Sequence, residues 1–305
     1  MIGQTWMKWA VLEAGTKTAS KMLQKVVGTV SSTWADTFLA TTVIGFIQTT
    51  VGGLMIWRNR IPLFSHPAQI IGCCIFGVLA VASTALSFGV FLHGGEIGVN
   101  TFIITLSIVP EALIDAIFFK HKLTLRELVG ISVAIAGGYV ILGSPSLAEL
   151  VHMPLWVWMS FATMFTIAIG QGVTRQLKEV SPFVKNFWGG LIGLVICGYI
   201  VIATGGLDIH GQLPLKLLAT SAVIGLIVVG MWSFSLMSYK GGASIALKKL
   251  VTNGVYLTAA TCAGALFFGE KITSGTLIGI ILYFVAFALV DGNTWKAITR
   301  KNNHE

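Results

Sequence analysis

Long apolar runs recur along the whole chain, each ended by a short cluster of charged, polar, glycine or proline residues. A run of about 20 apolar residues crosses roughly 30 Å of hydrocarbon as a helix. On that basis the pattern predicts ten helices, at about 5–28, 33–57, 67–92, 97–119, 125–143, 154–174, 182–204, 215–238, 242–268 and 273–293. Their connections are short, so no soluble catalytic domain fits between them. Strands of a membrane barrel are about ten residues long and alternate apolar with polar, which these runs do not.

The first helix departs from the pattern, because KWAVLEAGTKTASKMLQK (8–25) carries a carboxylate and four lysines. At about 100° per residue, Glu13, Lys17, Ser20, Lys21, Gln24 and Lys25 share one side, while Val11, Ala14, Thr18, Met22 and Val26 fall mostly elsewhere. Such a helix either lies flat on the inner leaflet or spans the membrane with its polar side on an aqueous cavity. The even helix count and the charge balance of the loops favour the spanning form.

Composition changes the picture only by fixing the solvent. Of 305 residues, 55% are hydrophobic and 10% charged, with a mean hydropathy of +0.84. Soluble domains carry about a quarter charged residues, so an integral membrane protein is expected. With the N-terminus inside, Arg58, Arg60, Lys120, Lys122, Arg126, Arg175, Lys178, Lys185, Lys240, Lys296, Arg300 and Lys301 all fall on the cytoplasmic face, against Lys216 and Lys271 outside. That bias places both termini in the cytoplasm, in what is expected to be a prokaryotic inner (plasma) membrane. It also accounts for the net charge of +8 without a nucleic-acid partner. Cys73, Cys74, Cys197 and Cys262 lie in apolar segments and read as core residues, neither disulfides nor a zinc site. No cleavable signal is evident.

The most informative feature is an internal repeat. FFKHKLTLRELVGI (118–131) aligns without gaps on FFGEKITSGTLIGI (267–280), with seven of fourteen positions identical, among them Lys122/Lys271 and Gly130/Gly279. A weaker echo pairs SKMLQKV (20–26) with TRQLKEV (174–180). The copies divide the chain into 1–143 and 154–293, with a short tail at 294–305. Five helices per copy is odd, so the second copy is inserted upside down relative to the first. That is the inverted-repeat design of secondary transporters, with a central site exposed alternately to the two sides.

Segments 98–142 and 243–290 resemble the two copies of the EamA domain of the drug/metabolite transporter superfamily. The shared features are a proline in the fourth helix (Pro110), phenylalanine-rich helix ends, a Gly-Glu-Lys turn (Gly269, Glu270, Lys271), and a threonine and glycine opening the next helix. The chain departs from that pattern at Lys120-His121, where the family usually has Gly-Glu, and at Ala259, where Pro110 maps. The resemblance implies an all-α fold of ten transmembrane helices and a transporter without a cofactor. The first helix of the related small multidrug resistance family bears a Glu followed eight residues later by a Lys, as Glu13 and Lys21 do here. Glu13 is therefore the first candidate for a proton-handling carboxylate, with Glu111 second; burial in hydrocarbon favours the protonated form of such an acid.

Other intramembrane polar residues are candidates for the substrate cavity. Glu111 and Asp115 sit one turn apart, and Lys249, Asn253 and Tyr256 form an i, i+4, i+7 stripe beside Lys248. Helical rise brings Glu13, Glu111, Lys248 and Lys249 to similar depths. Lys17, Lys21, Asn100 and Gln171 complete the set, Asn100 as the repeat counterpart of Lys249. The alternatives are interfacial placement for Asp115, snorkelling for Lys248 and structural ion pairing for the whole group. No metal ligand set and no catalytic group is expected.

The expected function is a secondary transporter of a small polar or zwitterionic metabolite, such as an amino acid or amine, with protons as a possible coupling ion. Its partners are then that substrate and the lipid bilayer. The competing classes are a membrane-embedded enzyme acting on a lipid and a non-transporting receptor or chaperone subunit. Against the enzyme stand the lack of an aspartate-rich diphosphate motif, of HExxH and of a Ser/His or Cys/His pair.

Overall fold

A computed structural model describes residues 5–64, 66–118, 124–144, 146, 149, 152–205, 215–243 and 245–290. The described residues form eleven helices and no strand. These are α1 (Thr5–Val30), α2 (Trp34–Arg58), α3 (Pro67–Leu92), α4 (Ile97–Thr105), α5 (Ile108–Phe118), α6 (Leu125–Ile141), α7 (Leu155–Gln176), α8 (Pro182–Ala203), α9 (Leu215–Lys240), α10 (Ile245–Phe268) and α11 (Ser274–Val290). Six stretches, in α2, α3, α7, α8, α9 and α10, are long and apolar enough to cross a membrane. Polarity is inverted relative to a water-soluble protein. Leu54, Val195, Tyr199 and Leu266 are exposed, while Glu13, Lys21, Glu111, Lys185, Lys248 and Lys249 are buried. This is an all-helical membrane protein.

The helix starts follow local chemistry. Thr33 caps α2 in a reciprocal box with Asp36, whose carboxylate accepts from the Thr33 N–H at 2.9 Å. Ser181 caps α8, and Pro182 takes the first helical position, where a missing N–H costs nothing.

The predicted fourth helix, 97–119, is corrected to two helices broken at Leu106-Ser107. Pro110 has no N–H for the Leu106 carbonyl, which accepts instead from Val109 at 2.9 Å. Ser107 closes the preceding turn on Ile104 at 3.1 Å and accepts from Glu111 N at 2.9 Å. Glu111 thus stands in the first turn of α5, where the helix dipole favours a carboxylate.

The first helix, which the sequence left between a leaflet-surface and a spanning form, packs into the bundle. Ala10, Ala14 and Val27 are completely buried, because α1 packs along α9 and against α10 and α3. The other long contacts are α2 along α8, α6 along α11 and α3 along α7, with α9 on α2 and α3 on α8. One core cluster joins Val27, Ala40, Ile44, Phe88, Leu217 and Ile224; another joins Phe102, Leu106, Ile108, Ala134, Leu257 and Tyr283.

Glycines set the closest approaches. A Cβ on Gly45 would lie 2.8 Å from the Gly190 carbonyl oxygen, and one on Gly190 would lie 2.9 Å from that of Gly45. Likewise a Cβ on Gly77 would lie 2.9 Å from Ile192 Cβ, and one on Gly225 would lie 2.8 Å from Ile47 Cβ. At the bundle's end, Glu270 follows the left-handed Gly269 (φ 66°) and reaches the first turn of α4. Its carboxylate accepts from Ile97 N at 2.7 Å and Gly98 N at 3.0 Å and pairs with Lys25 of α1.

Gly190→Ala would drive a methyl into backbone of α2, forcing α2 and α8 apart. Overpacking of that kind costs about 1–3 kcal/mol. Thermal unfolding of the detergent-solubilised protein should show a lower midpoint for Gly190→Ala. Gly15→Ala, which meets nothing within 4 Å, should leave it unchanged or raise it.

Candidate functional site

The polar side of α1 faces inward, onto a cavity enclosed mainly by α1, α3, α7 and α9. Its empty space is about 930 Å³, open solvent at its mouth included. Glu13, Lys17, Ser20, Lys21 and Gln24 line one wall, since steps of three and four residues keep them on one helix face. Ser83, Thr84 and Ser87 of α3 and Thr166, Gln171 and Thr174 of α7 form others. Trp232 and Ser235 of α9, Lys185 of α8 and Tyr256 of α10 complete the polar lining.

Glu13 is the hub of an ionic cluster in this wall. One carboxylate oxygen lies 3.4 Å from Lys17 Nζ and the other 3.0 Å from Lys248 Nζ. Lys248 also donates to Ser235 Oγ at 2.5 Å and to Gln171 Oε1 at 3.2 Å, and lies 4.2 Å from the Tyr239 ring centroid. Gln171 Oε1 in turn accepts from the Tyr239 hydroxyl at 3.0 Å. An ion taken from water into a protein interior costs several kcal/mol, and these contacts offset that cost for the Lys248 ammonium.

A second pair stands behind the wall. Lys249 Nζ lies 2.7 Å from Glu111 Oε1 and donates to Ser107 Oγ at 3.3 Å, so the broken helix and α10 are joined at the break. Both side chains are buried.

Of the sequence candidates, Glu13, Lys17, Lys21, Gln171 and Tyr256 line the cavity. Glu111, Lys248, Lys249, Asn100 and Asn253 are buried but do not belong to its described lining. Asn100 Nδ2 donates to Ser160 Oγ at 2.6 Å, tying α4 to α7. The side chain of Asp115 lies outside the described residues.

The loop count takes Lys185 as an inner-face charge although it lies within the predicted 182–204 helix. In α8, which starts at Pro182, it stands one turn inside the helix and is 1% exposed. It donates to Thr174 Oγ1 at 2.9 Å and sits 3.7 Å from the Phe76 ring centroid. Its place within the predicted helix was the signal for it. Ser83, Thr84 and Ser87 carried none, being small polar residues in an apolar run.

No protein-family model matches the sequence, and no curated protein matches it. Solved structures do. The crystal structure of one protein aligns over 94% of this chain and 98% of its own, with a TM-score of 0.60 at 15% identity. At that identity the likeness is one of fold alone.

The Glu111–Lys249 pair should behave as a buried ion pair. Glu111→Gln or Lys249→Met alone strands the opposite charge, which costs about 3–5 kcal/mol. The double variant removes both charges and should recover most of that loss. A thermal-unfolding double-mutant cycle in detergent reads the coupling, and additive single effects would show that the pair is not coupled.

Proposed function

We propose that this protein is a secondary transporter of the drug/metabolite type, moving a small polar metabolite by rocking two inverted five-helix halves around the central cavity. The observation that carries this reading is the cavity itself. It is walled by the Glu13 ionic cluster, inside a bundle whose outer surface is apolar. Buried charge costs stability in such a setting, so its presence favours a role in handling a polar solute.

Packing supports the inverted repeat. Advancing each span by five converts the α1–α9 contact into α7–α3, and α9–α2 into α3–α8; both members of each pair are present. The α2–α8 contact maps onto itself, as the reciprocal Gly45–Gly190 approach requires. The shift that takes Gly45 to Gly190 also takes Ile47 to Ile192, and Gly225 against Ile47 parallels Gly77 against Ile192 with an offset of three residues in the partner helix. A discontinuous helix beside the cavity, α4–α5, is a recurrent feature of such carriers.

Alternating access needs ends that close by turns. The Lys25–Glu270 pair begins one residue beyond the cavity-lining Gln24 and joins α1 to the start of α4. In this reading it fastens one end, which the loop charges put on the outer side. Glu13, held by Lys17 and Lys248, is the carboxylate whose ion pairs substrate or proton must rearrange.

The test is flux in proteoliposomes containing a pH-sensitive dye, challenged with amino acids, amines, sugars and organic acids. One compound class should move protons, and Glu13→Gln should abolish that movement. Because Glu13→Gln alone leaves Lys248 without its carboxylate, Glu13→Gln/Lys248→Gln is assayed beside it, and it should elute as a single species yet remain uncoupled. Failure of every labelled compound to cross, with or without proton movement, would remove the transporter reading.

A further inference from the structure

The lysines around the cavity fall into two kinds. Lys17, Lys248 and Lys249 each lie within 4 Å of a carboxylate. Lys21 and Lys185 do not: among the described residues neither has an ion-pair partner, although they are 3% and 1% exposed. Lys21 donates to Ser87 Oγ at 3.3 Å and lies 5.0 Å from the Phe91 ring centroid. Lys185 has the matching arrangement of one hydroxyl, Thr174, and one ring, Phe76. A lysine ammonium carries three donors, so one hydroxyl satisfies only part of its capacity. Both side chains line the cavity.

Charge around the cavity is therefore unbalanced. Among the described residues its lining holds Lys17, Lys21 and Lys185 against one carboxylate, Glu13, which is already shared by Lys17 and Lys248, while Glu111 is matched by Lys249. Where like charges crowd a poorly hydrated space, a cationic solute is repelled and an anion is attracted more strongly than in water.

We infer that the cavity binds a small organic anion, and that Lys21 and Lys185 are the groups that take its carboxylate or phosphate. The inference rests on the transporter reading for the path, and it narrows the substrate to a metabolite of net negative charge, setting simple amines aside. The two lysines contact α3 eleven residues apart, at Phe76 and Ser87, which is about 16 Å of helical rise. One carboxylate or phosphate does not touch both at once. They act as successive stations along the cavity, one towards each end.

Binding can be read without flux, which separates this inference from the one beneath it. The purified full-length protein in detergent is titrated with inorganic phosphate, glycerol 3-phosphate, succinate, choline and glucose, following thermal unfolding and tryptophan fluorescence. Phosphate-bearing probes or succinate should bind, and which of them do distinguishes phosphate from carboxylate; choline and glucose should not. Lys21→Met and Lys185→Met should each weaken anion binding by at least about tenfold, the worth of one charged hydrogen bond. The ligand-free unfolding midpoint should stay level or rise in both, because an unmatched buried charge has been removed. Lys21→Arg and Lys185→Arg should restore most of the affinity, and the exposed Lys178→Gln should change nothing. Binding of choline or glucose with all anions inert overturns the inference, and so does wild-type anion affinity in both methionine variants. Anion binding without flux of any labelled anion in proteoliposomes leaves the site standing and removes the transporter. Cationic or neutral flux insensitive to both lysines does the reverse.

Discussion

Hydrocarbon offers a buried charge neither water nor a counter-ion, so a charge set away from the cavity has to be answered from within the protein. In this fold much of that answer passes through Lys248. Its ammonium meets Glu13 from α1, Gln171 from α7, and Ser235 and Tyr239 from α9, while the residue itself belongs to α10. Four helices thus converge on one nitrogen. Neighbouring Lys249 extends the same logic to Glu111 and Ser107 at the helix break. The cavity wall and the broken helix are therefore not independent parts, because consecutive residues of α10 anchor both.

Around that polar centre the bundle is held by close backbone approach rather than by large side chains. Apolar side chains gain little from leaving lipid for protein, so small residues that let helices touch supply the contact. Gly45, Gly52, Gly190 and Gly193 let α2 and α8 meet backbone to backbone. At Gly45, Gly52 and Gly190 the α2–α8 seam has no room for a methyl, while the space between α1, α3, α7 and α9 is left unfilled. Tight seam and open cavity lie side by side, a division suited to elements that move as units about a fixed contact.

The sequence was explicit wherever a single helix decides the outcome. Apolar run length placed the helices to within a few residues, and the 100° rule placed Glu13, Lys17 and Lys21 on one inward face. Pro110 was visible, yet the break at Leu106-Ser107 was not read from it. The carbonyl that proline orphans lies four residues earlier, and whether the helix bends or parts there depends on what surrounds it. Depth along the helices brought Glu13, Glu111, Lys248 and Lys249 to one level. Which lysine meets which acid depends on the rotation of α10, and that is set by packing. Lys185 was counted with the loop charges although it lay within the predicted helix, because which way a side chain turns one turn into a helix is set by its neighbours.

Glu270 caps the first turn of α4 from far along the chain, and Gly264 leaves the space its carboxylate occupies. During synthesis the N-terminal half emerges first, with the Ile97 and Gly98 amides and the Lys25 ammonium still lacking this acceptor. The start of α4 reaches its final state only after the turn following α10 has been made. Assembly of the first half is thus tied to completion of the second, so a chain truncated before that turn carries an unfinished helix end, a mark by which an incomplete protein differs from a finished one.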